Sequence, residues 1–269
     1  MKLSKIEKVA LKSIFKNRTR SLLTSLGIII GVCSVIVMVA IGEGSQKKIE
    51  KDISSMGTNL IMIRPGAMNF QGVRGDLVAG NPLHYKDCEI IKKNAILIDC
   101  ISPSVTTNAQ IVSGSGNWNC RIEGVDPTFL QIRNYQIGQG TMFTDNDVKS
   151  RKKGAVLGYT VAEELFPNTD AIGRRIRINN TPFTVIGVLD EKGENSMGMD
   201  QDDLVLAPST TVIYRLKGGK YGSYVNTIFV SAKSEKMIDE TINELETILM
   251  RAHDIDNEDD ADFSIHSQS

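Results

Sequence analysis

Residues 22–41, LLTSLGIIIGVCSVIVMVAI, form a run of 20 residues without a charged side chain. Twelve of them are Leu, Ile or Val, which together favour insertion into a bilayer by about 4 to 7 kcal/mol. A helix of about 20 residues crosses the roughly 30 Å hydrocarbon core of a membrane. The run therefore predicts a transmembrane helix over residues 21–42.

A cleavable signal peptide is the alternative interpretation of this run. Ala40 and Gly42 are small residues placed ahead of Glu43, as a cleavage site requires. The apolar core of a signal peptide is about 7 to 15 residues long, however, and this run exceeds that length. A retained membrane helix is therefore the favoured interpretation.

Charge asymmetry predicts how the helix is oriented. Residues 1–20 carry seven basic side chains against one acidic, whereas the rest of the chain carries 24 basic and 31 acidic. Positively charged flanks of a membrane helix stay in the cytoplasm. We therefore expect a basic cytoplasmic segment at residues 1–20 and an extracytoplasmic domain at residues 43–269. The basic segment suits either a short amphipathic helix on the inner leaflet or a disordered tail.

Gly27 and Gly31 form a G-x-x-x-G pair inside the run. Two such glycines let a second helix approach the backbone closely. We expect them to be a helix-packing site within the bilayer, where the partner is a helix of another chain, because no second apolar run of this length follows.

The residue pattern of the region outside the membrane predicts two strand-helix-strand units around an inserted subdomain. Helical spacing first continues to Met56, ahead of Gly57. The first unit is predicted at 59–64, 85–93 and 96–105, and the second at 226–232, 235–253 and 262–266. The inserted subdomain, about 110–222, is richer in β runs, among them 155–157, 174–178 and 183–189. The predicted fold class is α+β.

The residues that carry chemistry do not form a catalytic pattern. His84, His253 and His266 lack the spacing of a metal pair or of a nucleophile's partner, so we expect surface or satisfied core residues. Gly218-Gly219-Lys220 lacks the first glycine and the hydroxyl residue of a G-x-x-x-x-G-K-[ST] loop. We therefore predict no enzyme activity, no metal and no cofactor in this chain.

Three further features leave more than one interpretation. The acidic residues between Asp254 and Asp262 suit a solvated loop better than a calcium loop, because the central glycine and the final glutamate are absent. Cys88, Cys100 and Cys120 allow at most one disulfide within the domain. Trp118 sits in a Gly/Ser-rich stretch that we expect to be a loop, where its ring either touches a partner or packs half-buried.

Several long stretches of the sequence share a likeness to one known family. They include NRTRSLLTSLGIIIGVCSVIVMVAIGEG and MGTNLIMIRPG, and then DVKSRKKGAVLGYTVAEELFPNTDAIGRRIRINNTPFTVIGVLDEKG, DDLVLAPSTTV and the closing ADFSIHSQS. With these stretches the sequence resembles the MacB/FtsX-type permeases of ATP-binding-cassette (ABC) systems. The first stretch resembles the first membrane helix of that family, and the second resembles the segment that follows it.

The resemblance implies a porter-like extracytoplasmic domain of two halves with an inserted α/β subdomain. It also implies a dimer driven by a separate cytoplasmic ABC ATPase, with a periplasmic adaptor as a further candidate partner and no nucleic acid. The system would export antibiotics or peptides, or handle lipoproteins, at the cell (inner) membrane. Because the sequence stops at Ser269, where the family enters its second membrane helix, we expect a truncated or split permease. The alternative is a single-pass extracellular binding or sensor module.

Overall fold

The computed structural model describes most of the chain. The described residues are 18–56, 59–66, 69–70, 73–74, 83–114, 116–167, 169–195, 198–218, 223–257 and 260–267. Nearly all of the predicted basic segment at residues 1–20 lies outside them. The chain divides into two compact units, one that ends at Lys51 and one that begins at Asp52.

The first described element is helix α1, Arg18–Met56. Its part Arg18–Lys47 is long and apolar enough to cross a membrane, and the side chains of the apolar window are not buried in the structure. Leu, Ile and Val side chains occupy every side of this part, as expected of a helix surrounded by lipid. The helix ends at Met56, as the spacing predicted.

The second unit mixes strands and helices. The strands are β1 (Leu60–Pro65), β2 (Asn69–Phe70), β3 (Val73–Arg74), β4 (Ile98–Val112), β5 (Asn117–Val125), β6 (Ile137–Gly140), β7 (Gly154–Leu157), β8 (Arg175–Ile178), β9 (Thr181–Leu189), β10 (Leu204–Pro208), β11 (Thr227–Ala232) and β12 (Phe263–Ser267). The helices are α2 (Tyr85–Asn94), α3 (Phe129–Ile132), α4 (Asp145–Lys149), α5 (Tyr159–Leu165), α6 (Ser209–Thr211) and α7 (Ile238–Ala252). A π-helical segment, Val212–Leu216, follows α6, and a 3-10 turn, Glu235–Met237, precedes α7.

Four strands form an antiparallel sheet in the order β12-β1-β11-β4. Ile61 pairs with Val230 and Ile63 pairs with Ile228, so these four side chains share one face of the sheet. They belong to the same buried core as Leu245 of α7, and α2 contributes to that core as well. The halves β1-α2-β4 and β11-α7-β12 thus interlock as in a ferredoxin-like fold.

Strand β4 is long enough to belong to two structures. Ile98 to Ser104 pair with β11, whereas Ile111 and Val112 pair with β8. From β8 the pairing continues through β9, β7, β10 and β5 back to β4, so six strands close into a barrel. Closure removes the free edges that these strands would otherwise present to solvent. The outer strand β6 pairs with the last residues of β9, beyond β8.

Alternating side chains of the barrel strands supply two hydrophobic cores. Ala155 and Leu157 of β7 belong to the main core, which continues under α2 and α7. Val156 lies between them in sequence and belongs to a second core with Phe129 of α3 and Phe143. The barrel is therefore packed on both sides of its wall.

The predicted elements are largely present. The helix expected at 85–93 is α2, and the strands expected at 155–157, 174–178 and 183–189 are β7, β8 and β9. The strand predicted at 96–105 is wrong in length, because β4 runs on to Val112 by pairing with β5 and β8. The loop predicted around Trp118 is also wrong. A turn closed by Ser113 and Gly116 joins β4 to β5, and Trp118 lies in β5.

Candidate functional site in the apolar helix and the buried core

The predicted helix-packing pair lies on α1 with open space around it. Apart from the neighbouring residues and backbone of its own helix, a Cβ atom built on Gly27 or Gly31 would meet no atom within 4 Å. The hydroxyls of Thr24 and Ser34 donate to the carbonyls of Arg20 and Gly31 on the same helix. These hydroxyls therefore need no partner in the lipid. Helix packing at Gly27 and Gly31 stays a prediction.

Among the described residues of the second unit, His253 contacts two buried carboxylates. Its Nδ1 lies 2.7 Å from Oδ1 of Asp262, and its Nε2 lies 3.4 Å from Oδ1 of Asp87. The three side chains are only 11%, 3% and 7% exposed, respectively. Asp87 stands in the first turn of α2, His253 follows the end of α7, and Asp262 precedes β12. The cluster joins one half of the four-stranded sheet to the other.

Asp87 has a second task at the start of α2. Its Oδ2 accepts a hydrogen bond of 2.7 Å from the backbone N–H of His84, the residue that caps the helix. A carboxylate in the first turn also matches the positive end of the helix dipole, and a protonated histidine after the last turn of α7 matches the negative end. Asp87 thus caps α2 and also contacts His253, the residue that follows α7.

The geometry of the cluster keeps His253 charged. The hydrogen bonds to Asp87 and Asp262 outweigh burial and raise the pKa of His253 to about 9. Burial alone would raise the pKa of Asp87, but the hydrogen bonds from His253 and from the His84 backbone lower it below its ordinary value. At neutral pH the cluster therefore holds one imidazolium between two carboxylates.

The histidines behave as satisfied core or surface residues, as the sequence predicted. His253 is the core residue just described, His84 caps α2 beside Tyr224, and His266 is exposed on β12. The prediction of a solvated acidic loop is wrong for Asp262, which is buried because His253 neutralises it. Exposed Asp254 and Asp256 fit the prediction, whereas residues 258 and 259 lie outside the described residues.

The three cysteines of the domain are buried, and Trp118 is packed and hydrogen-bonded within it. Cys88, Cys100 and Cys120 are free and buried in the structure. Burial raises the pKa of Cys100 to about 11 and that of Cys120 to about 12, which disfavours the reactive thiolate. Trp118 packs partly buried against the main core, and its Nε1 donates a hydrogen bond of 2.8 Å to Asp203.

A cluster that sequence reasoning missed lies where the barrel meets α2. Asp126, directly after β5, accepts hydrogen bonds from Ser209 Oγ at 2.6 Å and from Tyr85 Oη at 3.3 Å. Tyr85 opens α2 and Ser209 opens α6, so three distant segments meet there. No local pattern signals this meeting, since it depends on how β5 and β10 pair.

The described part of the chain offers no metal centre. No group of three or more His, Cys, Asp or Glu side chains in it is placed to hold a metal ion. At His253 both ring nitrogens already contact carboxylates, so a metal would have to displace a proton and a hydrogen bond.

We predict that His253→Gln destabilises the domain by about 3 to 5 kcal/mol, because two buried carboxylates would lose their cation. The free energy of unfolding is measured on the full chain in detergent, with circular dichroism as the readout of the transition. The control is His266→Gln at an exposed position of β12, for which we expect a change within about 0.5 kcal/mol.

The pH dependence of the domain's stability follows from the direction in which folding shifts the pKa of His253. The pKa of His253 is raised from 6.5 to about 9 by folding. The stabilisation is therefore complete below pH 6.5 and is lost as the pH rises through about 9. The stability gap between the native chain and His253→Gln should shrink over that interval. A gap that stays constant from pH 6 to pH 10 would contradict the charged cluster.

Comparison with known proteins gives the family of the chain. The model of the MacB-like periplasmic core domain matches residues 21–248. The chain is 38% identical over 260 residues to the "Macrolide export ATP-binding/permease protein MacB" of Chlorobium luteolum, covering 97% of this chain and 38% of the relative. It is 41% identical over 243 residues to the protein of the same name from Syntrophobacter fumaroxidans, covering 89% and 33%. The chain thus spans only about a third of the length of these relatives.

Solved structures agree on the fold. The periplasmic region of MacB from Actinobacillus actinomycetemcomitans matches with a TM-score of 0.64 at 24% identity, covering 82% of this chain and 94% of that one. The extracellular domain of the noncanonic ABC-type transporter YknZ matches with a TM-score of 0.61 at 18% identity, covering 78% and 100%. The predicted α+β fold class is confirmed. The chain belongs to the family of the MacB-like periplasmic core domain.

Proposed function

We propose that this chain is the membrane-anchored core-domain part of a permease in an ATP-driven ABC export system. One observation carries the proposal. A helix suited to crossing a membrane ends at Met56, and a domain of the MacB-like periplasmic core family continues directly from it with β1 at Leu60. A membrane span joined to that domain is what a permease of this family needs.

The proposed topology places the amino terminus in the cytoplasm of a cell (inner) membrane protein. Residues 1–20 would be the basic cytoplasmic segment, 21–42 the span and 43–269 the extracytoplasmic domain, with the inserted subdomain at about 110–222. The support is the excess of basic residues before the span and of acidic residues after it.

The proposed partners follow from what the relatives are named and from what this sequence lacks. The relatives' names join an ATP-binding part to a permease part, and no G-x-x-x-x-G-K-[ST] loop occurs in this sequence. We therefore propose a cytoplasmic ABC ATPase, on a separate chain as the resemblance implies, as the partner that hydrolyses ATP. A second permease chain completes a dimer, and a periplasmic adaptor is a further candidate partner. The relatives' names make macrolides the first substrates to test.

The proposed mechanism is mechanical and uses the chain connections of the domain. A displacement of α1 driven by the ATPase reaches β1 directly in sequence, since only three residues separate the two elements. β1 lies between β11 and β12 in the four-stranded sheet, and β11 pairs with β4. Because β4 is also a strand of the barrel, a displacement of β1 would pass through β11 and β4 to the barrel.

The proposal predicts that an ABC ATPase accompanies this chain. The tagged full chain, expressed at its native level, is purified from solubilised native membranes, and vanadate-sensitive ATP hydrolysis is measured in the eluate. We expect ATP hydrolysis together with an ATPase chain in stoichiometric amount. An unrelated single-pass protein with the same tag is the control. Hydrolysis no higher than in this control would contradict the proposal and favour the single-pass binding module.

We also propose that Gly27 and Gly31 pack against a second copy of the chain in the membrane. Ser34 lies seven residues after Gly27 and shares its side of α1. Cys33 is two residues from Gly31 and lies on the opposite side of the helix, since each residue turns about 100°. Position 34 therefore lies about 40° from the middle of the face that carries Gly27 and Gly31, whereas position 33 lies about 140° from it.

Oxidative cross-linking in membranes tests this pair of glycines. We expect a disulfide-linked dimer from Ser34→Cys in a Cys33→Ser background, but not from the native Cys33. Adding Gly31→Leu should reduce the dimer severalfold, because the larger side chain keeps the helices apart. Equal cross-linking at positions 33 and 34, or cross-linking that survives Gly31→Leu, would contradict packing through the glycine pair.

A further inference from the structure

A cleft of about 380 Å³ separates α2 from α4, at the junction of the four-stranded sheet with the barrel. Its lining includes Tyr85 and Lys92 of α2, Asp126 after β5, and Lys149 at the end of α4. This volume is near the lower end of the range of about 300 to 1,000 Å³ that small-molecule sites occupy. The cleft suits a ligand of amino-acid or dipeptide size and is small for a large macrocycle.

Asp126 gives the cleft a negative charge that no cation among the described residues contacts. Its two carboxylate oxygens accept hydrogen bonds from the neutral hydroxyls of Ser209 and Tyr85, and Lys92 attracts it only from beyond contact distance. Among the described residues, no Lys, Arg or His nitrogen lies within 4.0 Å of this carboxylate. Burial raises the pKa of Asp126 and also that of Tyr85, to which the charge of Asp126 contributes. A partly buried carboxylate with no cation in direct contact is costly, and an ammonium group from a ligand would relieve that cost.

Three exposed lysines bring positive charge to the outer part of the cleft, away from Asp126. Lys92 and Lys93 lie in the last turn of α2, and Lys149 lies in the last turn of α4, all exposed. Glu89 and Asp145 also line the cleft, so three ammonium groups balance three carboxylates, including Asp126. A simple anion or a simple cation would meet as much repulsion as attraction. A molecule with both charges can satisfy both ends.

We propose that this cleft binds a small zwitterion, a free amino acid or dipeptide, whose ammonium group contacts Asp126 and whose carboxylate faces Lys92, Lys93 and Lys149. The hydroxyl of Tyr85 borders the ammonium site and can accept a hydrogen bond from it. The proposal does not rest on the permease function, because binding requires neither ATP nor a partner chain.

Titration calorimetry of the full chain in detergent micelles tests the charges of the ligand. The probes are L-alanyl-L-alanine, its N-acetyl derivative and its C-terminal amide, which remove one charge at a time. We expect saturable binding of the dipeptide and at least about tenfold weaker binding of either derivative, since each loses a charge-assisted hydrogen bond. No saturable binding of the dipeptide at millimolar concentration, or equal binding of all three probes, would overturn the proposal.

A matched pair of variants tests the role of Asp126 in binding the dipeptide. Asp126→Asn keeps the size of the side chain and can still accept from Ser209, but it removes the charge. We expect it to bind the dipeptide about tenfold more weakly and to bind the N-acetyl derivative as the native chain does. The control is Glu164→Gln, an exposed residue of α5 outside the cleft, which should change neither affinity.

The three probes on the native chain decide the matter even if Asp126→Asn fails to fold. A folded Asp126→Asn variant that keeps full affinity for the dipeptide would overturn the assigned role of this carboxylate. Folding of each variant is checked by its thermal unfolding midpoint.

Discussion

The domain depends on one strand that two structures share. Ser104 of β4 pairs with Thr227 of β11 on one side and with Val125 of β5 on the other, so the four-stranded sheet and the barrel meet at this residue. Its hydroxyl donates a hydrogen bond of 2.7 Å to the carboxylate of Glu123 in β5. Glu123 is buried where the two cores join, and this bond satisfies one of its oxygens. Because backbone pairing runs unbroken along β4, neither part can rotate against the other without losing ladder hydrogen bonds. The placement of Asp126, and with it the cleft, follows from the same pairing.

The Asp87–His253–Asp262 cluster fixes the opposite side of the four-stranded sheet. β4 ties the sheet to the barrel, and the cluster ties the first strand-helix-strand half to the second at the ends of α2 and α7. Each carboxylate is acceptable in the interior only because the imidazolium is present. A domain held at both places suits the proposed permease, in which force from the membrane helix must reach distant surfaces without being absorbed by a loose joint.

The local elements could be predicted from the sequence because their signals are local. The apolar run marked α1, and helical spacing marked α2 and α7. The barrel could not be predicted, because its closure depends on Ile111 pairing with Ile178 and on parallel pairing of β5 with β10. The same reason explains the error at Asp262, whose partner His253 contacts it only after β12 joins the sheet. Asp126 carried no signal at all, because its partners come from α2 and α6.

Native-state hydrogen exchange along β4 tests the shared strand most directly. Slowly exchanging amides in Ile98 to Ser104 report on the sheet, and those in Ala109 to Val112 report on the barrel. If one strand unites the two parts, both groups should open with the same free energy, the global one, and respond equally to denaturant. Opening of the barrel amides at a free energy lower by more than about 1.4 kcal/mol, a tenfold faster exchange, would show that the barrel unfolds independently and would contradict the account.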